Sequence, residues 1–314
     1  MTLNRLCLAV CFLFLGLLCP AQQTAPSQPA PPPGSPQDLV QQGQKLSREG
    51  KQDEALALFQ QAMEKAPGFS DAHLEAGIAL DLKGDYAEAR KHLSRAIDLA
   101  GPDTKAQALR TMAVSYAFEG NADKAALYEK QVFDDRIAHT EWVAAATVCN
   151  ELARMYLESG DSENAYKWYK QGYETMTRKA DLTEADKNLW LFRWENAQAR
   201  IAARRGRAAE AQQHIVAAKT ALDKANNPDQ AKFYPYLTGY VAYYTGDYKT
   251  AIAELQKADQ HDPMNLALLG EAYEKSGDGA QAKDYYRKVL EINTHNPTNA
   301  FARPLAKKKL GLGS

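Results

Sequence analysis

Two stretches of the chain carry side chains whose types and spacing suit them to gripping a ligand. "NLWLFRWENAQARIAARRG" sets Arg193, Asn196, Arg200 and Arg204 three and four residues apart. "KFYPYLTGYVAYYTG" sets out Tyr236, Tyr240 and Tyr243 in the same way, with Tyr244 beside them. Residues so spaced share one face of a helix. Arginine holds a carboxylate through two parallel hydrogen bonds, and asparagine can hold peptide backbone. Tyrosine adds a rigid apolar face with a polar tip. That is the chemistry of recognition. The same residues also have a structural use, because tyrosines pack against neighbouring helices and arginines are often merely solvated. The sequence leaves both uses open.

Catalytic chemistry has no comparable pattern. The chain lacks a phosphate-cradling Gly-rich loop with Lys, an H-E-x-x-H and a G-x-S-x-G. Its histidines (His73, His92, His139, His214, His261 and His295) are scattered, and none pairs with another at metal-ligand spacing along a helix. Carboxylates are numerous but fall on predicted helix surfaces and turns. The expectation is therefore no enzyme, no cofactor and no metal. Lys plus Arg number 38 against 39 Asp plus Glu, so there is no basic field to draw nucleic acid. With 45% hydrophobic and 25% charged residues, the 314-residue chain can bury a large core.

The elements that must position the two clusters are written in a repeat. "GDYAEARKHLSRAID" begins at Gly84 and "GDYKTAIAELQKADQHDP" at Gly246. Aligning on the glycine finds further copies at Gly50, Gly120, Gly160, Gly206 and Gly277, spaced 31 to 46 residues apart. Five residues after each stands an alanine: Ala55, Ala89, Ala125, Ala165, Ala211, Ala251 and Ala282. Seven and eight residues before the glycine lie small or apolar residues such as Gly43 and Ala76–Gly77. The logic is a helix hairpin. Glycine ends the first helix where a left-handed backbone is needed, and small residues let two helices approach closely. One hairpin cannot bury its apolar face alone, so the copies must stack.

These residues resemble the tetratricopeptide repeat family. Leu39, Gly43, Leu46, Gly50, Ala55, Phe59, Ala62 and Pro67 fall on its pattern across residues 36–69. Gly239, Gly246, Ala251, Leu255, Ala258 and Pro263 do so across 232–265, and the resemblance covers about 36–295. It implies an all-α, right-handed solenoid of about seven antiparallel hairpins. There are departures. Glu129 stands where a large apolar residue is expected, and the segments around 131–160 and 175–206 are longer than the repeat requires. Thr183 with Asp186 marks the start of one long helix. Pro235 either starts its helix or kinks a longer one. Residues 297–314 are read as a short closing helix and tail, with Phe301 and Leu305 covering the last repeat and Lys307–Lys309 facing water.

In the resembled family the first helix of each pair lines a groove for extended peptides or partner helices. Its groove offsets, carried onto this chain, select Asn150, Arg154, Leu157 and Glu158 before Gly160. They select Arg193, Asn196, Arg200 and Arg204 before Gly206, and Phe233, Tyr236, Tyr240, Tyr243 and Tyr244 before Gly246. An Arg/Asn surface is thus followed by an aromatic one. The expected partner is a protein or peptide, acidic or with a free carboxylate. The family's chaperone-tail clamp does not carry over, since Val40, Gln44, Leu74 and Ile78 stand at its positions. Two other roles remain: a structural subunit of a cell-envelope assembly, and a carbohydrate-binding module using Trp168, Trp190 and Trp194.

"MTLNRLCLAVCFLFLGLLCPAQQ" reads as a secretory signal peptide, residues 1–21, with one early Arg and an apolar run too short for a good membrane span. Acylation at Cys19 is the rival reading, disfavoured by Leu18 before it. The Pro-rich residues 22–35 form an extended tether, and 36–296 the repeat domain. The expected location is periplasmic or extracellular, with no membrane span after cleavage. Cys7, Cys11 and Cys19 lie in the signal region, so Cys149 remains alone, a small buried hydrophobe on a helix.

Overall fold

The computed structural model describes residues 30–313, all helices and turns with no strand among them. The expected signal segment and residues 22–29 of the tether lie outside the described residues. Ser35 accepts the Asp38 amide and opens α1 (Pro36–Arg48), which pairs with α2 (Gln52–Lys65). Six more hairpins follow: α3 (Ser70–Lys83) with α4 (Tyr86–Leu99), α5 (Pro102–Phe118) with α6 (Ala122–Ala138), and α7 (Trp142–Glu158) with α8 (Ser162–Met176). Then come α9 (Glu184–Arg204) with α10 (Ala208–Ala225), α12 (Tyr234–Tyr244) with α13 (Tyr248–Leu255), and α14 (Pro263–Lys275) with α15 (Gly279–Glu291). The one-turn α11 (Pro228–Ala231) precedes the sixth hairpin, and α16 (Pro297–Leu310) follows the seventh. Each hairpin packs on the next, which makes the molecule a helical solenoid.

The turn arithmetic holds throughout. All seven turn glycines have φ between 68° and 105°, where a Cβ would be strained. The alanines five residues later are at most 2% exposed. A second rule appears in three dimensions: the large residue nine after the glycine lies on the small residue seven before it. Phe59 covers Gly43, Leu93 covers Gly77, Leu255 covers Gly239 and Tyr286 covers Gly270. A Cβ on Gly77 would meet Leu93 at 2.6 Å, so glycine is what permits the close crossing. Glu129, Tyr169 and Ile215 occupy that large position in the third, fourth and fifth hairpins.

Glu129 is fully buried there, with neither carboxylate oxygen hydrogen-bonded. Burial pushes its carboxyl up to about 8, the nearby Glu151 adds to the rise, and Arg110 opposes it. Cys149 is fully buried as expected, and burial, with Glu129 beside it, pushes its thiol up to about 12. The Thr183–Asp186 capping box forms, and Pro235 sits in the first turn of α12, starting that helix rather than kinking a longer one.

The C-terminal helix departs from expectation. It does not only cover the last repeat: α16 lies along α14 and α15 and also crosses to α5 and α7. Phe301 joins the core of the last hairpins to that of the third and fourth. Just before it, His295 Nε2 lies 2.8 Å from Asp81 Oδ2, a buried contact across 214 residues of sequence, and Ser115 donates to the other Asp81 oxygen at 2.8 Å. Arg303 donates to the Leu82 carbonyl and Lys307 to that of Lys83, capping the C-terminal end of α3. Lys307 is therefore half-buried on another helix rather than facing water. The cause is chemical: the end of α3 offers orphan carbonyls and a buried carboxylate, and this segment supplies the matching donors.

Candidate functional site

The two clusters read from the sequence meet only in part. One cavity of about 450 Å³ lies between the first helices of the fourth, fifth and sixth hairpins. Of the expected residues, Asn150, Arg154, Arg193, Asn196, Arg200 and Tyr236 line it, with Phe233 beside them. Capping and turn chemistry place them. The boxed start of α9 sets the register that brings Arg193, Asn196 and Arg200 inward, and Pro235 fixes the start of α12 behind Phe233 and Tyr236.

Arg200 is the deepest cation, only 7% exposed. Its Nε donates to Asn196 Oδ1 at 3.0 Å and one Nη to the Tyr169 hydroxyl at 2.9 Å. The guanidinium lies between the Tyr169 and Tyr240 rings, 5.5 and 5.8 Å from their centroids. Its other Nη is buried without a partner. Arg154 donates to the Tyr236 hydroxyl at 3.1 Å, and its Nε is likewise buried and unpartnered. Arg193 stacks 4.7 Å over the Trp190 ring. Glu151, an acidic residue on the same wall, is held by Arg110 in a two-pronged pair at 3.1 and 2.5 Å. Donor capacity in this cavity thus exceeds acceptor capacity.

The remaining expected residues lie elsewhere. Tyr240 is fully buried, its rise in pKa caused by that burial, and it packs between Tyr236 and Tyr244. Arg204 donates to the Tyr240 hydroxyl at 2.8 Å and to Glu158 Oε2 at 2.6 Å, with its guanidinium over the Tyr244 ring. Tyr243 lies edge-on to Tyr244. This Arg–Tyr stack cements the sixth hairpin to its neighbours and does not reach the cavity. The tryptophans are also packed. Trp190 is buried, Trp194 stacks on Tyr173, and Trp168 lies edge-on to Phe133.

Sequence reasoning missed the cavity's far wall, made of Asn296, Pro297 and Thr298 at the start of α16. It also missed the pairing of His73 with His92, whose Nδ1 atoms lie 3.1 Å apart across the second hairpin. Spacing along one helix could not show that contact. Among the described residues no third His, Cys, Asp or Glu joins them as a metal site.

Comparison with known proteins bears on the fold. The tetratricopeptide repeat family's profiles match residues 46–113, 148–183 and 265–296. A tetratricopeptide repeat protein from Parabacteroides merdae superposes with a TM-score of 0.51 at 14% identity, over 88% of this chain and 98% of that one. The apo form of RapI gives 0.55 at 11% identity, over 88% and 99%. Identities this low speak for the shared fold alone. No curated protein matches the sequence.

Proposed function

The chain is a tetratricopeptide-repeat protein, and from that premise we propose that it is an exported, non-catalytic scaffold that binds a protein or peptide partner at the concave junction of its fourth to sixth hairpins. The observation that carries this reading is the cavity there, where Arg154, Arg193 and Arg200 converge with two asparagines beside the exposed ring of Phe233. Binding surfaces concentrate their affinity in arginine and aromatic side chains set in desolvated pockets. Export is supported by the N-terminal charge, apolar run and small residues. Among the described residues no helix is long and apolar enough to cross a membrane.

The test uses side chains whose loss leaves the core intact. Peptides selected against the full chain from a displayed random library are titrated into Arg193→Ala, Phe233→Ala and the exposed control Lys283→Ala. An anchoring residue at such a surface accounts for about 2 kcal/mol or more, close to thirtyfold in affinity. Peptides that bind all three variants equally place the working surface elsewhere.

A further inference from the structure

The cavity is one-sided in its chemistry, and that asymmetry identifies what it takes. Buried polar atoms are almost always hydrogen-bonded, and a buried guanidinium nitrogen without an acceptor is costly. Here there are two: Arg200 Nη1, on a side chain only 7% exposed, and Arg154 Nε. Both side chains line the cavity, and its acid, Glu151, is already committed to Arg110. The opposite wall is the first turn of the 14-residue α16, whose N-terminal end carries partial positive charge. Asn296 caps that helix by accepting the Asn299 amide at 2.9 Å. Three arginines and a helix N-terminus therefore line one space whose only lining acid is paired, while Glu158 and Asp262 offset part of the Arg154 charge from behind the wall.

The rest of the cavity is mixed, with Thr147, Asn150 and Gln230 beside aromatic rings. Phe192 is buried in its wall, Tyr169 and Tyr236 flank the arginines, and Phe233 stands 39% exposed beside it. Its volume of about 450 Å³ lies in the range of small-ligand sites. The concave face towards the N-terminal hairpins is occupied by α16, which packs on α5 and α7. A long extended chain cannot run through; a compact ligand or a chain end can enter.

We propose that this cavity binds the carboxylate of a compact apolar acid, with the carboxylate drawn to the guanidinium cluster of Arg154, Arg193 and Arg200 and the apolar body against Phe233. The proposal rests on the reading of this surface as the working one. Two sources share the chemistry: a free organic acid, and the C-terminal residue of a peptide.

The experiment is isothermal titration of the full chain with three probes: N-acetylphenylalanine, its primary amide, and an N-acetylated tetra-alanine peptide ending in phenylalanine with a free carboxylate. The two acids are expected to bind at least about tenfold more tightly than the amide, since a charge-assisted pair is lost in the amide. A peptide tighter than the single amino acid identifies a chain end as the source, and equal affinities identify the free acid; either outcome retains the carboxylate site. Asn196→Asp is the variant of choice. It is isosteric, keeps the acceptor for Arg200 Nε and adds a competing negative charge. It should abolish the preference for acid over amide while the melting temperature is held or raised. The amide binding as well as the acids in the wild-type chain overturns the proposal without recourse to any variant. So does failure of both acids to bind at about 10 mM, a concentration that would reveal even a millimolar Kd. Library peptides that depend on Arg193 and Phe233 yet bind equally as acids and amides would leave the scaffold reading standing and remove this one alone.

Discussion

Glu129 is the sharpest test of how the repeat works, because it breaks the rule at a position whose role is known from its counterparts. The other hairpins place Phe59, Leu93, Tyr169, Ile215, Leu255 and Tyr286 there, nine residues after the turn glycine. Glu129 is as buried as any of them and has no hydrogen-bond partner for either oxygen. Its carboxyl is raised to about 8 in the folded chain, from an ordinary 4.5. A pKa raised on folding means stability fully present below about pH 4.5 and lost progressively as pH rises to 8. At about 1.4 kcal/mol per pH unit the loss is about 3 kcal/mol at pH 7 and about 5 kcal/mol above pH 8. Glu129→Leu restores the apolar knob found at Leu93 and Leu255. It should therefore stabilise the chain by about 3 kcal/mol at pH 7. Urea unfolding of both proteins from pH 4.5 to 8.5 measures the difference, and contributions from titrating groups remote from Glu129 cancel in it. A difference that does not grow with pH, or a leucine variant less stable than wild type at pH 7.5, would refute the argument. The first outcome would mean that Arg110 keeps Glu129 ionised in the folded state.

Two further predictions concern the frame. Ala251→Leu forces a larger side chain into a position with no exposed surface, and should destabilise by about 1–3 kcal/mol in denaturant unfolding. His295→Ala leaves the buried Asp81 carboxylate with Ser115 as its remaining side-chain donor, and should cost about 3 kcal/mol. Limited proteolysis of that variant should release the segment containing α16 before it cuts the hairpins, and an unchanged cleavage pattern would show that the His295 contact does not hold the helix in place.

The hairpins were legible because they are local. Gly50 to Gly277 and the alanines five residues on report backbone handedness and close packing within about twenty residues, and those demands leave one choice of residue type. The boxed start of α9 was legible for the same reason: Thr183 and Asp186 satisfy each other's backbone amides over three positions. The site was legible only by half. Arg193, Asn196 and Arg200 were found because one helix face brings them together, and family offsets added Asn150 and Arg154. Those offsets also selected Arg204, Tyr240, Tyr243 and Tyr244, which neighbouring hairpins absorb into a stack. Whether an offset residue faces ligand or neighbour depends on what the adjoining repeat places opposite it. For Tyr240 that is Arg204, contributed by a different helix 36 residues away.

What no local rule could supply is the destination of α16. Its own sequence, with Pro297 in the first turn and lysines in the last, specifies a helix and nothing about where it rests. The address is written at the other end of the chain, in Asp81 and the terminal carbonyls of α3, and becomes readable only when the solenoid has curved enough to bring them within reach. The consequence is functional. A solenoid of seven hairpins would offer one continuous groove, but this chain's own C-terminal segment packs across α5 and α7. The same segment contributes Asn296 to Thr298 to the wall of the remaining cavity. The helix that shortens the groove thus also walls the cavity that Arg154, Arg193 and Arg200 line. Closure of the groove and the shape of the cavity therefore depend on the same segment, and a change that frees α16 should disturb both together.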